Sequence, residues 1–103
     1  MTPLMSPERK LFRYVLNFFR RHPDRWLRHS FHQVLDNEDC FCFAGALSHF
    51  GPRFGFDGYM DGYQAVLVKI RKHDFSIVYT NDTSDTFAEM YHRFRAIERS
   101  IDR

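Results

Sequence analysis

The chain lacks any run of about 18 apolar residues, the length a membrane-crossing helix requires, and this argues against a membrane protein. It has two cysteines, Cys40 and Cys42, among 103 residues. Separated by a single residue, they make a poor disulfide framework, and no apolar run near the start resembles a secretory leader. A reducing cytoplasm is the expected compartment. No P-loop, dinucleotide-binding fingerprint, helix-turn-helix signature or zinc-finger spacing occurs, which removes the nucleotide-binding and nucleic-acid classes carried by those motifs.

Aromatic residues, by contrast, are abundant. They reach 17%, with 12 Phe and 5 Tyr but one Trp, in a chain that is 44% hydrophobic. That is enough for one hydrophobic core, so one domain over 1–103 is expected, with residues 1–5 frayed. The net charge of +2 conceals a bipolar distribution. Residues 1–34 carry seven Arg or Lys and two acids, residues 35–62 one Arg and five acids. A solvated helix face and an acidic partner both account for such a basic first third.

Helical signals dominate. Ser6-Pro7-Glu8 has the form of a helix opening, and Leu11, Phe12, Val15, Phe18 and Phe19 follow at helical spacing, so a first helix is expected over 7–21, ended by Pro23. Trp26 reads as a core anchor whose indole N–H needs a partner. Asp36-Asn37-Glu38-Asp39 reads as a polar turn whose last acid caps a second helix running from Cys40 to Phe50, closed by a left-handed Gly51. Gly45 in the middle of that helix implies a close backbone approach. Tyr63, Val66, Leu67 and Ile70 predict a third helix, and Phe87, Met90, Tyr91, Phe94, Ile97 and Ile101 predict a last one behind a Thr86–Glu89 capping box. Residues 75–80, Phe-Ser-Ile-Val-Tyr-Thr, read as a strand whose partner is expected within 28–35. The expected fold is mostly α (α+β): about four helices with a small two-stranded β element, the first and last helices packed together.

Arg21-His22-Pro23-Asp24-Arg25-Trp26, then Cys42-Phe43-Ala44-Gly45-Ala46-Leu47, then Ile77-Val78-Tyr79-Thr80-Asn81-Asp82 leading into a final helix, resembles a family of small uncharacterised bacterial and phage proteins. Their pattern is a Trp after the first helix, a C-x-x-G-A-L helix start and an aromatic-x-Asn-Asp turn. The matching positions are Trp26, Cys42, Gly45, Ala46, Leu47, Tyr79, Asn81 and Asp82. The chain departs from the pattern in lacking a Gly-containing polar loop after the Trp. The family has no established activity, so the resemblance implies a fold rather than a function.

Candidate chemistry centres on Cys42, the conditional nucleophile of a thiol hydrolase or transferase, with His49 or His73 as base and Asn81 or Asp82 as orienter. The competing reading makes Cys42 a buried apolar residue and makes Asn81 and Asp82 turn and cap residues. His29-x-x-His32 and Cys40-x-Cys42 are poor zinc spacings, and no metal or cofactor is expected. The function expected is a small non-enzymatic protein-interaction module, of the kind phages use to inhibit a host or defence complex. Its partner-binding candidates are Arg13, Arg20, Arg21, Arg25, Arg28, Phe54, Phe56 and Tyr59. The alternatives are the Cys42 enzyme and a nucleic-acid binder using Arg9, Lys10 and the same arginines. Association between copies through the aromatic surface is compatible with each.

Overall fold

The computed structural model describes residues 5–103; of the stretch 1–5 expected to be frayed, residues 1–4 lie outside that range. Helix α1, Pro7–Arg21, begins where the Ser6 hydroxyl accepts the Arg9 N–H at 3.2 Å and buries Leu11, Phe12, Val15, Leu16 and Phe19. A 3-10 turn at Pro23–Arg25 follows. Strands β1, His32–Leu35, and β2, Glu38–Phe41, pair antiparallel, with Val34 opposite Asp39. The two-residue connection Asp36-Asn37 has φ of 52° and 65°. Positive φ at both central positions is the hairpin turn that matches strand twist, and Asp and Asn tolerate it best after glycine.

Helices α2, Phe43–Phe50; α3, Asp61–Ile70; α4, Ile77–Asp82; and α5, Phe87–Ser100 complete the fold. The radius of gyration, 12.9 Å, is that of one globule, close to the ~13 Å expected for about 100 folded residues. Its centre is the aromatic trio Phe12, Phe43 and Phe94, one ring each from α1, α2 and α5, all fully buried. Phe43 stacks on Phe94 with centroids 3.9 Å apart, and Phe12 lies 4.7 Å from Phe43. Burying each such ring stabilises the fold by roughly 1.5–3 kcal/mol. The first and last helices are packed together as expected, and the Asp102 carboxylate accepts the Ser6 N–H at 3.0 Å, tying the end of the chain to the start of α1.

Several expectations are corrected. Residues 77–82 form a helix, not a strand, because Ser76 caps Tyr79 N–H at 3.2 Å and the buried residues Ile77, Thr80, Asn81 and Ser84 recur at helical spacing. There are therefore five α-helices among the described residues, and the strand in 28–35 pairs with 38–41 instead of 76–80. Asp39 and Cys40 sit in β2, so α2 starts three residues later than expected, with the Cys42 thiol rather than Asp39 as cap. Gly51 has right-handed φ and ψ and opens a 3-10 turn; the left-handed residue is Gly55, at φ 93°.

Gly45 meets the expectation of a close backbone approach. A methyl group there would collide with the Phe31 carbonyl oxygen, and the adjacent Cys42 N–H donates to that same oxygen at 3.3 Å. The segment leading into β1 thus lies directly on the first turn of α2.

Candidate functional site

Three separate stretches of chain meet at Asn81, which is fully buried. Its Oδ1 accepts the Trp26 indole N–H at 2.7 Å and the Phe43 backbone N–H at 2.9 Å. Its Nδ2 donates to the Leu27 carbonyl at 2.8 Å and to Asp82 Oδ1 at 3.0 Å. All four hydrogen-bonding positions of the carboxamide are used, which is what a buried amide requires. The partner expected for the Trp26 indole is therefore a side chain 55 residues away.

Asp82 extends the network outward. Its Oδ1 also accepts the His29 backbone N–H at 2.9 Å, and its Oδ2 lies 3.6 Å from His29 Nδ1. Burial raises the Asp82 carboxyl, but the His29 N–H, the Asn81 amide and the charges of His29 and Arg28 outweigh it and hold the group below the usual carboxylate range. His29 itself has φ 63°, left-handed for a residue with a full side chain. The hydrogen bond from its N–H to the Asp82 carboxylate ties this left-handed residue to α4.

Cys42, His29 and Asp82 line one shallow depression of about 350 Å³, together with Ser30, Phe31 and Val78. The thiol is 5% exposed and accepts the Gly45 N–H at 3.4 Å, capping α2. Burial pushes the thiol up from its ordinary value; the Gly45 and Ala44 N–H groups oppose this and the Asp82 charge adds to it. No hydrogen bond joins Cys42 to a histidine among the described residues. His49 borders a different depression, its ring centroid 4.7 Å from that of Phe41, and His73 has a buried Nε2 without a partner among the described residues, its ring centroid 6.0 Å from that of Phe75. Of the conditional catalytic set, the fold brings Cys42, Asn81 and Asp82 together and places His49 and His73 apart from them. The histidine that joins the cluster is His29, which the sequence singled out only through the His29-x-x-His32 spacing; its place beside Asp82 depends on a left-handed backbone.

The partner-binding candidates divide in the same way. Arg25 donates to the Asp39 carbonyl at 2.7 Å with its guanidinium over the Phe18 ring, and Arg28 donates to the Ser84 carbonyl at 3.0 Å. Arg13 shares Glu98 Oε1 with Arg9, at 2.9 and 3.2 Å, and Glu98 is buried. Arg20 and Arg21 are exposed at the end of α1. Phe54 and Phe56 are half-buried against the core, Phe54 lying 5.7 Å from Tyr14, whereas Tyr59 is 84% exposed. Sequence reasoning missed the exposed pair Val34 and Leu35 on β1, and Tyr91 and Arg95, which line a groove with Arg13 and Arg20.

Among the described residues, no group of three or more His, Cys, Asp or Glu could hold a metal ion, and no helix is long and apolar enough to cross a membrane. No protein-family model, curated protein or solved structure matches the chain.

Proposed function

We propose that this chain is a non-enzymatic protein-interaction module that takes its partner on the outer edge of the β1–β2 hairpin. The observation that carries this reading is β1 itself. All four of its residues are exposed, Val34 at 63% and Leu35 at 46%, and it pairs with β2 alone among the described residues. An edge strand that leaves backbone donors and acceptors unpaired beside apolar side chains is a template for a further strand. Tyr59 lies by the other end of the hairpin, away from the Asp36-Asn37 turn, where it lines one depression with His32 and Phe41. An inhibitor of phage type, which occupies a surface on a larger host or defence complex in the cytoplasm, acts in this way without chemistry of its own. The family resemblance fits the same picture if its Trp, Cys and Asn-Asp positions mark the residues that hold the scaffold together around Asn81.

The reading is tested by capture from the native cell on immobilised wild-type protein and on a Val34→Lys/Leu35→Lys variant whose circular dichroism is unchanged. A defined protein held by the wild type and lost by the variant is expected. Equal recovery by both removes the hairpin from the interaction.

A thiol enzyme using Cys42 is the second reading, favoured by the convergence of Cys42, His29 and Asp82 on one depression. It requires iodoacetamide to label Cys42 in the folded protein at neutral pH faster than free cysteine; labelling no faster than that removes it.

A further inference from the structure

We infer that the groove between α1 and α5 binds single-stranded nucleic acid, holding phosphates on arginine and a base on Tyr91. This goes beyond the hairpin surface and does not depend on it. The groove has a volume of about 280 Å³ and is lined by Arg13, Asn17, Arg20, Tyr91, Arg95 and Glu98, with Leu16 at its base.

The charge of the two helices points to an anion. Helix α1 carries five bases and one acid, α5 three bases and two acids, so the pair stands at +5 in a chain whose net charge is +2. Glu98, the one acid in the groove, is already committed to Arg9 and Arg13. Arg13 uses only its Nε there, leaving its two terminal nitrogens without a partner among the described residues. Arg20 and Arg95 pair with no carboxylate among those residues. Several guanidinium groups converging on one concavity repel one another and raise the local potential, and an anion in the groove relieves this.

The aromatic lining decides which anion. Tyr91 is half-buried with Arg95 5.9 Å from its ring centroid and Phe87 6.0 Å away on the same helix. A cationic groove with an aromatic ring in its wall is the arrangement by which proteins hold a flexible strand, the backbone on the cations and a base on the ring. An acidic peptide offers carboxylates but nothing to stack, and a duplex keeps its bases inside.

The test is fluorescence anisotropy of the full chain with a labelled oligothymidylate of about 12 nucleotides, within the usual range of single-strand site sizes. Three phosphates, one for each arginine, predict a slope of log affinity against log salt of about −2, at roughly 0.7 per phosphate. In Arg20→Gln/Arg95→Gln the slope should fall in magnitude to about 0.7, with weaker binding at low salt. Tyr91→Leu should weaken binding by about fivefold or more and leave the slope unchanged. Both arginines are exposed, so the double variant tests the groove even if Tyr91→Leu proves unstable. The inference is overturned by an absence of binding at low salt, by an unchanged slope in the double variant, by a duplex of equal length binding as tightly, or by polyglutamate competing as well as the oligonucleotide. The last result would assign the groove to an acidic protein.

Discussion

Asn81 Oδ1 sits 2.7 Å from the Trp26 indole nitrogen and 2.9 Å from the Phe43 backbone nitrogen, so one buried amide oxygen serves both the segment after α1 and the first residue of α2. Removing it strands several groups at once. In Asn81→Leu the buried Phe43 N–H and the half-buried Trp26 N–H and Leu27 carbonyl all lose their partner; a fully buried unsatisfied group costs about 1–3 kcal/mol, and the two half-buried ones less because water can reach them. The variant should lose about 2 kcal/mol or more in urea unfolding, with Trp fluorescence shifted even below the transition. A loss under about 1 kcal/mol would mean that the network contributes little.

Gly45 is the second point at which the fold has no slack. Its missing Cβ makes room for the Phe31 carbonyl, which is backbone and has little freedom to move away. Gly45→Ala should therefore destabilise by about 1–3 kcal/mol, as overpacking does, although alanine is the better helix former. Denaturant midpoints of the two proteins check this, and a stabilised variant would show that the β1 approach is able to shift.

These two residues also mark how far the sequence could be read. The demand of Trp26 for a partner and of Gly45 for a close neighbour followed from their chemistry; which residues answered did not, because Asn81 and Phe31 are distant in the chain. Helices α1 and α5 were legible because their apolar stripes repeat over 14 or 15 residues behind Ser and Thr caps. Helix α4 was not. Its six residues are rich in β-branched and aromatic types, and only the burial of Ile77, Thr80 and Asn81 against Tyr79, which is 66% exposed, reveals a helical period. The hairpin was half legible: a strand was expected within 28–35, but its partner β2 was hidden because Glu38 and Asp39 read as a polar turn and a helix cap. Cys42 was legible as a residue near a helix start, but its capping role needed the observed β2, and His29 entered the cluster through a backbone conformation that composition does not encode.

Glu98 makes a third prediction. One buried carboxylate oxygen receives the Nε of both Arg9 and Arg13, whose side chains are 25% and 49% exposed. Replacing it with Ala leaves the arginines able to reach water, so the loss should fall below that of a fully enclosed pair, at about 1–3 kcal/mol. Arg13→Ala alone should cost less than about 1 kcal/mol, because Arg9 still holds the carboxylate. A double-mutant cycle between Glu98 and each arginine measures the two shares, and a coupling to Arg13 larger than that to Arg9 would contradict the ranking by exposure.

Asp82 ties stability to acidity. Its carboxyl is held below its ordinary value of 3.8: burial works against this, and the His29 N–H, the Asn81 amide and the nearby cationic charge prevail. A carboxyl whose folded pKa lies under its unfolded one contributes fully above the unfolded value, and the contribution disappears as pH falls through the folded one. Asp39 and Asp102 are also lowered, so the acid sensitivity of the wild type alone does not isolate Asp82. The difference between wild type and Asp82→Asn does. It should be largest near neutrality, where the carboxylate orders His29, and should shrink toward zero in acid as that carboxylate is protonated in both the folded and the unfolded wild type. Urea unfolding of the two proteins across this range measures it, and a gap that stays constant into acid would show that Asp82 acts through shape alone and that its charge does not hold the left-handed His29.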